Sequence, residues 1–223
     1  HAGAALALRE AGIAPVHWVG RAMGAVVLAA RVGRGVRAAI GVHGFELGGW
    51  IVDAGKRAAA ELGTLAARLT FPEEWPIVLW STPSVRGLAG GRERAAIESL
   101  PAMSPRLTDR LSGIVLRELL PSIEERDWEG FALGLRAYGD CVGEYFAPVQ
   151  GGLYSDPQGS EVVEWFDRRG LKGVAQSSWG PTLATVLPNA ESAADVVREW
   201  PFDRERLLVT SARNRGADVD ALQ

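Results

Sequence analysis

The residues best equipped for chemistry lie in one short run, Gly173-Val174-Ala175-Gln176-Ser177-Ser178-Trp179-Gly180-Pro181-Thr182. Small residues let a backbone approach a ligand, the hydroxyls of Ser177, Ser178 and Thr182 bring donors, and Pro181 is a residue type that opens helices. Such a loop can gather several donors around an anion the size of a phosphate. The same composition also builds an ordinary tight turn, and composition alone leaves both readings standing. A second run, between Arg34 and Gly55, is mostly uncharged and punctuated by Gly35, Gly41, Gly44, Gly48 and Gly49. Its carboxylates, Glu46 and Asp53, have the chemistry to hold a Mg²⁺ ion that bridges a diphosphate. The competing reading has Asp53 end a strand and cap a turn while Glu46 is solvated. His43 is a donor to phosphate on one reading and a packing residue on the other.

Bulk properties narrow the classes. The 223 residues are 47% apolar, enough to bury a sizeable core in one large domain or two small ones. The 24 basic and 27 acidic residues leave a net charge of −3 and are mixed along the chain, so no face is dedicated to nucleic acid or membrane. Cys141 is the single cysteine, which rules out an internal disulfide and fits a reducing cytoplasm. The longest apolar stretch, Ala22 to Ala30, is bounded by Arg21 and Arg31 and falls short of the roughly 20 residues of a membrane span. Three scattered histidines and one cysteine make no zinc pattern.

The elements that must position these residues follow from periodicity. Helix formers fill Ala4–Ala11, and His17–Val32 has apolar residues at helical spacing. Trp50–Val52, Leu62–Phe71 and Pro76–Trp80 read as strands, with a turn at Pro72–Trp75 where the domain junction is expected. Helices are predicted over Arg92–Leu100 and over Thr108–Leu120, where Pro121 starts a break. Trp128–Phe146 carries Phe131, Leu135, Tyr138, Val142 and Tyr145 at a spacing of three to four, and a turn at Pro148 and Gly151-Gly152 ends it. Ser160–Gly170 and Ala190–Trp200 are further helices, Pro181–Leu187 begins a helix or strand, and Leu207–Val209 is a strand. The fold class is α+β.

Four segments, in order, resemble the motifs of the GHMP kinase superfamily and, within it, the β-ribofuranosylaminobenzene 5′-phosphate synthase branch. They are Arg37-Ala38-Ala39-Ile40-Gly41-Val42-His43-Gly44-Phe45-Glu46 with Gly48-Gly49-Trp50-Ile51-Val52-Asp53, then Arg86-Gly87-Leu88-Ala89-Gly90, then Val142 to Gly152 with its Pro148-Val149-Gln150-Gly151 turn, and the Gln176-Ser177-Ser178-Trp179-Gly180-Pro181-Thr182 loop. The resemblance implies residues 1–74 as the remainder of the superfamily's N-terminal domain and 75–223 as a ferredoxin-like C-terminal domain. It implies transfer of a phosphoribosyl group from phosphoribosyl pyrophosphate to 4-aminobenzoate or 4-hydroxybenzoate with loss of carbon dioxide, a step in making a methanopterin-type cofactor. Small-molecule substrates, a cytoplasmic setting and a homodimer go with it. The implied phosphate and substrate contacts are Arg37, Gly41, Gly48, Gly49, Gln176, Ser177, Ser178, Trp179, Gly180 and Thr182, gathered around one cleft, with Mg²⁺ at Asp53 or Glu46. Arg34, Arg37 and Arg86 have the fork geometry to clamp a phosphate or carboxylate, with surface solvation as the competing account. Trp179 either stacks on an aromatic ring or caps the core.

Two departures from the superfamily shape the expectation. Its kinases carry a catalytic aspartate seven residues ahead of the double glycine, where this chain has Gly41. Glycine takes no proton from an alcohol, so an ATP-dependent kinase becomes the second reading and the synthase, which deprotonates no alcohol, the first. The superfamily's Gly-Leu-Gly-Ser-Gly phosphate loop has no counterpart ahead of the first helix, because the sequence opens at His1-Ala2-Gly3-Ala4. A fragment or shortened form is expected, with little turnover by itself, and a non-catalytic anion-binding domain is the third reading.

Overall fold

The computed structural model describes residues 39–55, 62–81, 95–96, 98–177 and 181–217. The helices expected at Ala4–Ala11 and His17–Val32 lie outside the described residues, as do Arg34, Arg37, Arg86, Ser178, Trp179 and Gly180. The chain divides into two compact units, one ending at Phe71 and resumed from Ala212, the other running from Pro72 to Ser211.

In the first unit the glycine run is helical: α1 spans Ala39–Leu47, followed by β1 (Trp50–Asp53) and β2 (Leu65–Leu69). Gly41 and Gly44 each cost such a helix up to about 1 kcal/mol relative to alanine, so packing must hold it. Val42 is buried, and the His43 ring bonds the Gly63 carbonyl through Nε2 at 3.0 Å. β1 pairs antiparallel with β2, Trp50 opposite Leu69 and Val52 opposite Ala67. Trp50 stacks on Phe71 with ring centroids 5.8 Å apart.

The tail that sequence reading assigned to the second domain returns here. The Asn214 carboxamide treats Phe71 as a neighbouring strand would, its Oδ1 accepting from the Phe71 amide at 2.8 Å and its Nδ2 donating to the Phe71 carbonyl at 2.9 Å. The Ala217 amide donates to the Phe45 carbonyl at 2.7 Å. One asparagine and a few amides do this, without the apolar pattern that would have marked it in the sequence.

The second unit holds β3 (Ile77–Trp80), α2 (Pro105–Ile114), α3 (Leu120–Glu125), α4 (Trp128–Gln150), α5 (Gly159–Asp167), β4 (Ala175–Gln176), β5 (Leu183–Val186), α6 (Ala190–Glu199) and β6 (Leu207–Thr210). Its antiparallel sheet has the order β4-β5-β3-β6, with Trp80 opposite Leu183 on one side and Leu207 on the other. Helices separate β3 from the β4–β5 hairpin and the hairpin from β6, which is the ferredoxin-like arrangement. Val78 and Trp80 bury against Val162, Val163, Trp165 and Phe166 of α5 and against Ala193, Val196 and Trp200. Asp127 caps α4 by accepting from the Gly130 amide at 3.0 Å, and Asn189 caps α6 through Ser192 at 2.9 Å.

Two prolines behave differently from expectation. Pro121 was expected to start a break, yet α2 runs on through a π-helical turn at Val115–Leu119 into α3, with Pro121 in its first turn. The wider i→i−5 turn, in which the Leu120 amide reaches the Val115 carbonyl, opens the backbone just where the proline ring and its missing N–H would otherwise conflict with an α-helical ladder. Pro148 lies inside the last turn of α4, which ends only at Gly151 in the left-handed conformation. So close to the end, the proline removes one hydrogen bond and leaves little helix beyond it to break.

Candidate functional site

The loop rich in serine and glycine is the tip of the β4–β5 hairpin. Ala175 pairs with Ala184 and Gln176 with Leu183, and the Ser177 amide donates to the Thr182 carbonyl at 2.9 Å to close the turn. Pro181 leads into β5 and not into a helix, so the helix N-terminus that the sequence offered as an anion site is replaced by a hairpin. The Ser177 amide is spent on the turn, whereas the residue itself is exposed. Ser178, Trp179 and Gly180 complete the loop outside the described residues.

The Gln176 side chain is held by hydrogen bonds within its own unit. Its Oε1 accepts from the Ser155 amide at 2.7 Å and its Nε2 donates to Gln150 Oε1 at 3.1 Å. Gln150, the last residue of α4, in turn donates from Nε2 to the carbonyls of Gly152 and Leu153, each at 2.9 Å. The two glutamines belong to two of the four motif segments, and their side chains bring those segments together. In the sequence Gln150 stands only in the turn of a motif segment, with no role; the signal is a polar residue at the junction of a long apolar helix and a double glycine.

The glycine run serves its own unit. Gly48 and Gly49 have φ of +62° and +77°. The Gly48 amide donates to Gly44 and the Gly49 amide to Arg213, at 2.9 and 2.7 Å. A Cβ on Gly48 would collide with the backbone of Arg213 and Arg215, and one on Gly49 with the Leu69 carbonyl. Glycine is therefore required here by chain crossing, and both amides are already donated. Arg68 of β2 reaches the C-terminal end of α1, its Nε donating to the Gly48 carbonyl at 3.2 Å and its Nη2 to Leu47 and to Asn214. A guanidinium there also opposes the negative end of the helix dipole. Gly41 lies within α1.

Asp53 ends β1 and accepts from the Gly55 amide at 2.8 Å, the turn-capping role weighed against metal binding. Burial pushes the Glu46 carboxyl above its ordinary range. Among the described residues no three His, Cys, Asp or Glu side chains converge as a metal-ligand group.

Around α4 the second unit carries a cluster that the sequence did not announce. Arg136 pairs with Asp140 at 3.0 Å and with Asp167 of α5 at 3.2 Å, tying the two helices. The Tyr154 hydroxyl is buried with no hydrogen-bond partner among the described residues, and burial raises its pKa, with nearby Arg136 pulling the other way. Burial raises Tyr138 as well. Cys141 is a buried core thiol. No helix among the described residues is long and apolar enough to cross a membrane.

No protein-family model matches the chain. Among curated proteins it is 32% identical, over 203 aligned residues, to the β-ribofuranosylphenol 5′-phosphate synthase of Methanothermobacter thermautotrophicus, covering 85% of this chain and 60% of that protein. It is 27% identical over 205 residues to the protein of the same name from Archaeoglobus fulgidus, covering 85% and 62%. The chain thus spans about 60% of the length of the curated relatives it matches. Among solved structures, homoserine kinase from Cytophaga hutchinsonii superposes with a TM-score of 0.63 at 14% identity, over 94% of this chain and 62% of that one. Mevalonate diphosphate decarboxylase from Staphylococcus aureus gives 0.57 at 9% identity, over 88% and 66%. At such identities these two establish the fold alone.

Proposed function

We propose that this chain, which has the fold of the GHMP kinases and is a homologue of the β-ribofuranosylphenol 5′-phosphate synthases, carries part of a phosphoribosyl-transferring synthase. The observation that supports this most is the relationship to the Methanothermobacter thermautotrophicus protein across 85% of the chain. Two further features agree with it. The position of the kinase aspartate is Gly41, which removes the base an alcohol-phosphorylating enzyme needs. The Ser177–Thr182 hairpin tip offers an exposed serine on a fixed base.

In this reading the anomeric carbon of phosphoribosyl pyrophosphate loses pyrophosphate and bonds to the ring carbon of the benzoate, from which carbon dioxide departs. The protein's task is to hold the phosphates and stabilise developing charge. Ser177, Ser178 and Thr182 supply donors to a phosphate, while Trp179 and Gly180 shape the same loop. Gln176 acts from the hairpin base. Arg37 is the cation proposed to accompany Gly41, Gly48 and Gly49, whose part is to hold the backbone and not to donate amides. Mg²⁺, if bound, would neutralise the diphosphate, and Asp53 or Glu46 would be the carboxylate to hold it, Asp53 already accepting from the Gly55 amide. The name of the two relatives specifies a phenol, which favours 4-hydroxybenzoate over 4-aminobenzoate as acceptor. The first unit corresponds in this reading to the remainder of the superfamily's N-terminal domain and the second to its C-terminal domain, in a cytoplasmic homodimer.

Calorimetry separates this from its rivals. Binding of phosphoribosyl pyrophosphate in preference to ATP supports the synthase, preference for ATP supports a kinase, and binding of neither leaves a non-catalytic domain. Ser177→Ala and Ser178→Ala are each expected to weaken phosphoribosyl pyrophosphate binding by about 1 kcal/mol, the scale of one lost hydrogen bond, with folding nearly unchanged. Unchanged affinity in both variants would remove the loop from the site.

A further inference from the structure

The two glutamine side chains form a relay whose direction is fixed at both ends. A backbone amide can only donate and a backbone carbonyl can only accept. The Ser155 amide therefore requires the oxygen of Gln176, and the Gly152 and Leu153 carbonyls require the nitrogen of Gln150. That leaves the Gln176 nitrogen facing the Gln150 oxygen, at 3.1 Å, with matching polarity. The relay begins and ends on the same four-residue segment, Gly152–Ser155, so the pair clamps that segment to the hairpin. Neither amide can flip and neither can be a carboxylate. A glutamate at 150 would set an acceptor against three carbonyls, those of Gly143, Gly152 and Leu153, and a glutamate at 176 would leave the Gln150 oxygen without its donor.

The hairpin needs such an anchor. Among the described residues β4 is two residues long, lies at the edge of its sheet and pairs with β5 alone. Strand pairing alone fixes very little backbone at so short an edge. The next residue after Gln176 is Ser177, where the proposed phosphate loop starts.

We infer that Gln150 is a positioning residue for the described base of the β4–β5 hairpin, where the Ser177 amide meets the Thr182 carbonyl, acting through Gln176 without touching substrate. This rests on the reading of the Ser177–Thr182 loop as a phosphate site, and the test keeps the two apart. Hydrogen–deuterium exchange is followed for peptides covering 177–183, 152–155 and, as a distant reference, 204–210, in the 223-residue chain and in Gln150→Glu, Gln176→Glu and the double variant. Phosphoribosyl pyrophosphate affinity is measured by calorimetry in the same proteins with Mg²⁺ present. The expected result is faster exchange at 177–183 and 152–155 in each single variant, reference exchange unchanged, and affinity reduced about tenfold, as loss of a partly buried hydrogen-bond chain implies. The double variant should be scarcely worse than either single, because one broken link opens the whole relay. Unchanged exchange at 177–183, or equal acceleration in every peptide, would overturn the inference. If Gln150→Glu does not fold, Gln150→Met keeps the length without the polarity and the same comparison decides. Should the parent chain bind no phosphoribosyl pyrophosphate, the phosphate reading fails, while the exchange data still judge the anchor.

Discussion

Gly143 is buried in the C-terminal third of α4 and packs against the segment that the glutamine relay holds. A Cβ built there would lie 2.6 Å from the Leu153 carbonyl oxygen and 2.8 Å from Leu153 Cδ1. Carbon–oxygen contacts settle at about 3.3 Å or more, so the segment must retreat by roughly 0.7 Å. The Leu153 carbonyl is also an acceptor for Gln150 at 2.9 Å, and a shift of that size breaks the bond. Overpacking costs about 1–3 kcal/mol and a lost hydrogen bond about 1 kcal/mol, against which alanine recovers up to about 1 kcal/mol of helix propensity. Gly143→Ala should therefore destabilise by about 2 kcal/mol, roughly 4–8 °C in Tm for a domain of this size. Gly44 in α1 is the control, since a Cβ there meets nothing within 4 Å. Gly44→Ala should stabilise by about 0.5–1 kcal/mol. Urea unfolding followed by tryptophan fluorescence and by circular dichroism reads both. A Gly143→Ala variant as stable as the parent would refute the close approach, and with it the packing of segment 152–155 on α4.

Two further expectations concern pH. Burial raises the Glu46 pKa in the folded chain above its unfolded value, so the native state holds that proton more tightly; the stability this contributes is complete below the ordinary carboxylate range and is lost as pH rises through the folded pKa. Glu46→Gln should consequently raise Tm at pH 7 and give no gain near pH 4, and an equal shift at both would show that charge is not the cause. Tyr138 and Tyr154 are also raised by burial, so stability should hold up to about pH 10, the ordinary tyrosine value, and fall above it. Tyr138→Phe or Tyr154→Phe should flatten that fall, and at neutral pH Tyr154→Phe should cost little because its buried hydroxyl has no partner among the described residues; an unaltered alkaline limb in both would disprove the assignment.

Much of the architecture is carried by local pattern. The stripe along Trp128–Phe146 announced α4, the pattern over Ser160–Gly170 announced α5, and Pro76–Trp80 announced the central strand β3, because periodic burial is written in periodic residues. The motif segments likewise pointed to the relationship that 32% and 27% identity to the two curated proteins supports.

Other features depend on partners distant in sequence, and local pattern is silent about those. The glycine run became a helix because Val42 and His43 found partners, and its double glycine is explained by a tail more than 160 residues away crossing at Arg213. Pro121 and Pro148 are breakers by type, but a π turn in one case and a nearby helix end in the other absorbed them. Pro181 satisfies the same local rule whether it opens a helix or enters a strand, and pairing of β5 with β3 decided for the strand. Gln150 and Gln176 are ordinary polar residues in the sequence. Only the folding of α4 over the β4–β5 hairpin sets their amides 3.1 Å apart with one possible polarity, and a hydrogen bond between distant residues leaves no trace in the residues that flank each one.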